Sequence, residues 1–242
     1  MSSVTFHFYD ELNYFLPPYQ RDTDFTHTFE GRVSIKDMIE SLGVPHTEIE
    51  AISANGRGVD LTYLVDDNNR LEVYGFSSKL PVPNLIRPPL KEAPTFILDV
   101  HLGQLAVYLR MLGFDVLYRN DYEDSEISII ANKEQRVVLS RDRGLFKRSL
   151  VDYGYFVREV KPKRQLAEVV KRFDLQQYFK PLRRCIRCNG KLAPVPKEAV
   201  LDRLEPLTAR LYNEFSQCPD CQQVYWKGSH YDNMLDFIQN IK

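Results

Sequence analysis

Four cysteines stand in two pairs, Cys185-Ile186-Arg187-Cys188 and Cys218-Pro219-Asp220-Cys221, each with two intervening residues. Two such knuckles supply four thiolates, enough to close a tetrahedral zinc site, and a closed four-sulfur shell leaves no position for substrate or water. The spacing therefore predicts structural zinc. Thiol–disulfide exchange is the competing chemistry, but it uses a single such pair near the start of a βαβ unit. Four cysteines in 242 residues are also too few for a disulfide scaffold.

A second group of residues is acidic. Asp99 closes the apolar run Phe96-Ile97-Leu98, Asp121 and Asp124 follow FDVLYR, and Asp142 follows Val137–Ser140. In a parallel α/β sheet, ligands bind outside the carboxyl ends of the strands, so these strands would each deliver a carboxylate to one rim. Carboxylates brought together repel, and their coexistence calls for a hard cation such as magnesium or manganese. Asp99 and Asp142 are the expected ligands, Asp121 and Asp124 complete the catalytic set, and Glu126 is an alternative to Asp124. Paired ions of this kind can activate water and stabilise the leaving oxygen in phosphodiester cleavage. A plainer reading makes Asp121 a loop acid, Asp124 an N-cap and Asp142 a turn residue. It fits Asp99 least, because an unpartnered charge at the edge of a core is costly.

The third group is basic. A formal net charge of -1, from 32 Lys and Arg against 33 Asp and Glu, argues against a uniformly basic coat. The charge is nevertheless uneven: Lys133–Lys191 holds 17 Lys and Arg against 6 Asp and Glu, an excess of 11. Tyr153, Tyr155, Phe156, Tyr178 and Phe179 are interleaved with these cations. Cations for phosphates and rings for unpaired bases would suit single-stranded or structured RNA. Arg141 and Arg143, which flank Asp142, and His230 in YWKGSHYDNM are the expected substrate contacts. The stretch Lys161–Lys180 alone reads as solvated helix faces.

These residues need elements to hold them. Upstream, VTFHFY alternates as a strand does. A helix from Ser34 carries Ile35, Met38, Ile39 and Leu42 on one face, with Ser34 and Asp37 as a capping pair and Gly43 as its stop. Asn55-Gly56 marks a hairpin turn and RLEVYGF a closing strand, an α+β pattern. Downstream, strand and helix alternate: TFILD, the helix LGQLAVYLRMLG, FDVLYR, the helix DSEISIIANKE, RVVLS, a short helix in GLFKRSLVDYG, YFVREV and the helix KRQLAEVVKRF. That alternation predicts a mainly parallel sheet flanked by helices. Between the knuckles, AVLDRLEPLTARLYNEF reads as a helical insertion. The expected division is residues 1–80, a proline- and serine-rich linker at 81–93, an α/β core at 94–182, and a ribbon with its insertion and a C-terminal segment at 183–242. With 43% hydrophobic and 27% charged residues, disorder is excluded as the main state. The N-terminus lacks a basic, then apolar, leader, and no run of about 18 apolar residues occurs, so no membrane span and a cytoplasmic address are expected.

Taken in order, FILDVHLGQLAVYLRMLGFDVLYRNDYEDSEI, RVVLSRDRGLFKR, CIRC and CPDC followed by VYWKGSHYDNM resemble the PIN-like ribonuclease domain with an inserted zinc ribbon, named after the C-terminal part of the Mut-seven exonuclease. Residues 4–75, with DELNYFLPP, VSIKDMIESLGVPHTEIE, NGRGVD and RLEVYGF, look like the ubiquitin-like β-grasp domain that precedes it in bacterial members. The resemblance implies a divalent-metal-dependent ribonuclease with Asp99, Asp121, Asp124 and Asp142 as its acids. The alternative is a non-catalytic zinc-containing module that binds RNA or the ribosome. Sulfur-carrying β-grasp relatives end in Gly-Gly. Here Gly75-Phe76-Ser77-Ser78 runs into the linker, which leaves an accessory or protein-binding role for the first domain.

Overall fold

Strand-like alternation at the N-terminus becomes a real strand because Val4, Phe6 and Phe8 all turn to one apolar face while Thr5 and His7 stay half-buried. The computed structural model describes residues 1–90 and 92–229, with Tyr231, Asn233 and Asp236. In chain order the elements are β1 (Ser2–Phe8), β2 (Phe25–Phe29), α1 (Ile35–Ser41), β3 (Ala51–Ala54), β4 (Arg57–Val59), β5 (Arg70–Tyr74), β6 (Phe96–Leu98), α2 (Gly103–Met111) and β7 (Val116–Leu117). There follow α3 (Asp124–Glu134), β8 (Val137–Ser140), β9 (Gly154–Phe156), α4 (Pro162–Arg172), β10 (Ala193–Val195), α5 (Pro206–Leu211), β11 (Phe215–Gln217) and β12 (Val224–Trp226). They fall into two units, Met1–Lys91 with Asp142–Phe156, and Glu92–Arg141 with Val157–Lys242.

The first unit is built on a five-stranded sheet of order β2-β1-β5-β3-β4, in which β1 and β5 run parallel. Helix α1 starts where the Ser34 hydroxyl accepts the Asp37 amide at 3.1 Å and buries Ile35, Met38 and Ile39. Asn55 and Gly56, both at positive φ, make the tight β3–β4 turn. Asp142–Phe156 joins this unit through polar contacts. The buried Glu48 carboxylate accepts the Phe156 amide at 2.6 Å, and the His46 ring lies 2.6 Å from Glu40 and 2.9 Å from the Val151 carbonyl.

In the second unit β6 is central, paired in parallel with β7 and β8. Phe96, Ile97 and Leu98 are all buried, the continuous apolar run expected of a strand covered on both faces. Helices α2, through Leu105, Ala106 and Leu109, and α4, through Leu166, Val169 and Val170, add their apolar stripes to this core.

Three expectations need correction. The strand read from YFVREV ends at Phe156: the Val157 amide still donates to the Ser140 carbonyl of β8 at 2.8 Å, but beyond it Glu168 accepts the Arg158 and Glu159 amides, each at 2.9 Å, and Arg141 takes the carbonyls of Val157, Arg158 and Glu159. The strand read from FDVLYR shrinks to Val116–Leu117, where Asn189 takes the Val116 amide and Arg110 its carbonyl. The helical insertion breaks into two single turns, Lys197–Ala199 and Leu201–Arg203, then α5, and its end becomes β11. Pro206 forces Glu205 out of helical geometry, and Val200, Phe215 and Val224 gather into a small core of their own.

Gly113 ends α2 at φ +99°, and a β-carbon there would collide with the Lys180 carbonyl. Gly113→Ala should therefore cost about 2 kcal/mol or more, from left-handed strain plus that clash. Urea unfolding would measure it, and a loss below about 0.5 kcal/mol would show that the backbone there relaxes freely.

Candidate metal centres and their supports

The four thiols converge. Their sulfurs all lie within 4.8 Å of one another, with Cys185 to Cys221 at 3.5 Å and Cys188 to Cys218 at 3.4 Å. Both knuckles use the same local device: the first cysteine amide donates across the turn, to Gly190 at 2.8 Å or Gln223 at 3.0 Å, and its carbonyl accepts from Asn189 or Gln222, each at positive φ. These four residues could hold a zinc ion, whose soft thiolate set suits it. The Tyr225 hydroxyl lies 3.1 Å from the Cys185 sulfur. Burial pushes the Cys185 thiol up, but Tyr225 and the amides of Cys188 and Arg187 outweigh it and bring it down to about 7.

The first knuckle is tied to the sheet by residues that the sequence reading passed over. Arg110, buried on α2, donates to the Val116 carbonyl at 3.0 Å and to the Ile186 and Arg187 carbonyls at 3.3 and 3.0 Å. Asn189 accepts the Val116 amide and donates to Asp115 at 2.9 Å. Asp115 also takes Arg136 at 2.8 Å and Arg184 at 2.7 Å. Burial pushes the Asp115 carboxyl up, but hydrogen bonds from Arg136 and Asn189 and the two guanidinium charges hold it below the usual carboxylate range. The available signal was Arg110 itself, a lone cation inside the apolar stretch LAVYLRMLGF.

Among the acids, Asp99 is 5% exposed at the carboxyl end of β6. Its Oδ1 accepts the His101 amide at 2.8 Å, and its Oδ2 accepts the Ser140 hydroxyl and, at 3.1 Å, the Arg141 amide. Asp121 is exposed and held by Arg119 at 2.9 and 3.1 Å, and that hydrogen-bonded guanidinium keeps its carboxyl low. Glu126 meets the same arginine at 3.1 Å. Asp124 is the first residue of α3, with Glu123 in the cap position. Asp142 is exposed in the first unit, where it accepts the Gly144 amide at 2.7 Å. Among the described residues, the cysteines are the only set of three or more His, Cys, Asp or Glu whose ligand atoms approach this closely.

The two arginines have separate surroundings. Arg141 directs Nη1 to three backbone carbonyls, so that nitrogen is spent on the chain. Arg143 stacks over Phe15 at 4.9 Å, Tyr14 at 5.6 Å and Phe156 at 5.7 Å, all within the first unit. His230 lies outside the described residues. The Gly75–Ser78 turn is pinned back, with Ser77 donating to Glu11 at 3.2 Å and Ser78 to Asp10 at 2.6 Å. It is therefore not a free glycine tail.

A mixed-sheet unit and a helix-flanked parallel sheet carrying a four-cysteine ribbon define an α/β protein with a ubiquitin-like first domain. Residues 94–238 match the family described as the Mut7-C RNAse domain, and residues 1–80 match the one described as Mut7-C ubiquitin. The chain belongs to the Mut7-C RNAse domain family. No curated protein and no solved structure matches it. No described helix is long and apolar enough to cross a membrane.

Cys185→Ser and Cys218→Ser should each abolish stoichiometric zinc, read by elemental analysis, and one zinc retained per chain in both would remove the four-thiolate site. Asp115 gives a pH prediction. Its folded carboxyl titrates below the unfolded value of about 4, so its stabilisation is present above that pH and lost as pH falls through the folded value. Wild type should lose stability more steeply than Asp115→Asn below about pH 4. Parallel acid-unfolding curves would contradict this.

Proposed function

We propose that the chain is a divalent-metal-dependent ribonuclease that hydrolyses RNA phosphodiester bonds, with Asp99, Asp142 and one or both of Asp121 and Asp124 as its acids. The observation that carries this reading is Asp99, a nearly buried carboxylate at the end of the central strand in the region matching the RNAse family. The donor set fits magnesium or manganese, which keep several waters and need only one or two carboxylates. Asp99 Oδ1 accepts a single hydrogen bond, so it retains acceptor capacity for a cation. When bound, the ion supplies Lewis-acid activation of water and neutralises charge at the phosphate.

The chain's own residues do the rest. The Ser140 hydroxyl and the Arg141 and His101 amides hold Asp99 in one orientation. Asp142 follows Arg141 directly in the chain and supplies the second carboxylate. Arg143 is better suited than Arg141 to meet phosphate, because a guanidinium stacked on rings keeps its N–H edge free to donate. The four cysteines hold structural zinc, and the ubiquitin-like domain offers a surface for a protein partner in the cytoplasm.

A second reading, a non-catalytic zinc-containing module that binds RNA or the ribosome, is favoured by Arg119, which engages both Asp121 and Glu126.

Labelled single-stranded RNA incubated with magnesium or manganese separates the two. Wild type should cleave it, and Asp99→Asn and Asp142→Asn should lose more than about a hundredfold, beyond the 10–100-fold usual for outer-sphere partners, while keeping their zinc. Equal activity in all three proteins, or none in any, would leave only the binding module.

A further inference from the structure

The ends of β6 and β7 opposite the acids carry a different charge. Thr95 and Asp115, the residues just before these strands, line a cavity of about 350 Å³ together with Tyr178, Lys180, Arg183, Arg184 and Lys191. Asp115 is the carboxylate of this group, and its charge is already met by Arg136 and Arg184. Lys180, Arg183 and Lys191 have no ion pair among the described residues. Three uncompensated cations therefore face one concavity.

Their backbones are fixed, so this is more than a mobile basic surface. The Lys180 amide donates to Leu112 at 2.8 Å, and its carbonyl packs against Gly113. Arg184 and Lys191 face each other across an antiparallel bridge, and the Leu192 amide donates to the Arg183 carbonyl at 3.1 Å. The first zinc knuckle closes this bridge, since the Cys185 amide donates to Gly190 at 2.8 Å. Arg184 is already paired with Asp115 at 2.7 Å, so of the two facing cations Lys191 is the one left to meet an anion in the cavity.

We propose that this cavity is a phosphate-binding subsite for the RNA backbone, separate from the acidic residues. It rests on the reading that the chain binds RNA. Four residues of extended chain lead from Thr95 to Asp99, roughly 13 Å at strand rise. A strand held here would be gripped by a phosphate away from the scissile one, so the subsite contributes affinity and register. Tyr178 adds a ring on which a base could stack.

The test is the affinity of the full, zinc-loaded chain for a fluorescein-labelled single-stranded RNA, titrated across salt without added divalent metal. Lys180→Ala/Arg183→Ala/Lys191→Ala is compared with Lys133→Ala/Arg164→Ala/Lys171→Ala, which removes the same charge from exposed positions on α3 and α4. The cavity variant should bind roughly tenfold or more weakly, and its plot of log K against log salt should flatten by about 2, the loss of three contacts to a single strand. Lys191→Glu alone should act in the same direction, and pyrophosphate should compete with RNA on wild type but not on the cavity variant. Equal effects of the two triple variants would overturn the subsite. If wild type still cleaves RNA in that case, the nuclease reading survives. If RNA binds through the cavity but nothing is cleaved, the subsite stands and hydrolysis falls. A wild type that neither binds nor cleaves RNA removes both.

Discussion

A two-residue strand cannot hold the edge of a sheet through its ladder alone, and the second unit depends on how β7 is secured. Arg110 and Asn189 take the Val116 carbonyl and amide, while Asp115 collects Arg136, Arg184 and Asn189. Each charge-assisted hydrogen bond of this kind contributes about 1.5–3 kcal/mol, but removing one partner of a buried charged set costs more, about 3–5 kcal/mol. The network therefore couples what it joins. Asn189 sits in the first knuckle, and Arg110 also holds the knuckle carbonyls, so folding of the four-cysteine ribbon and of the parallel sheet are linked by shared polar partners.

Elements stabilised by local signals were legible in the sequence. Asp124–Glu134 is a helix with the bounds that its periodicity gave, α1 starts at the Ser34 cap, and the two cysteine pairs meet. Misreadings arose where a distant side chain replaced a ladder or where proline divided a helical-looking run. Glu168 takes the amides of Arg158 and Glu159 while Arg141 takes their carbonyls, and no periodicity in YFVREV reports a carboxylate ten residues away. In the insertion, apolar residues spaced for a helix instead serve a small ribbon core around Val200, Phe215 and Val224.

Of the candidate acids, Asp99 was the most legible, because an apolar run ending in aspartate must satisfy that charge, and three donors do so. Asp121 and Asp124 were weaker signals, since loop acids are common, and Arg119 gives Asp121 an ordinary surface partner. Asp142 carries a consequence for domain organisation. The matched RNAse region spans 94–238, yet its residues 142–156 belong to the same compact unit as the ubiquitin-like domain. Glu48 and His46 bind this segment through the Phe156 amide and the Val151 carbonyl. The first domain therefore supports part of the RNAse region directly, a role that needs no glycine tail.

The charge pattern follows the same division of labour. Cations in Lys133–Lys191 are not equivalent once their partners are known. Arg136 and Arg184 neutralise Asp115, Arg141 holds carbonyls, and Arg143 stacks on rings. Charge on Arg136, Arg141 and Arg184 is thus largely spent on structure, and a segment-wide excess overstates what a polyanion can feel. What remains concentrated is the trio Lys180, Arg183 and Lys191, whose backbones are set by α2 and the first knuckle. In the proposed enzyme, Asp99 and the phosphate grip lie at opposite ends of β6. An anion held at the cationic end would not compete for the cation at the acidic end, and a longer strand could use both.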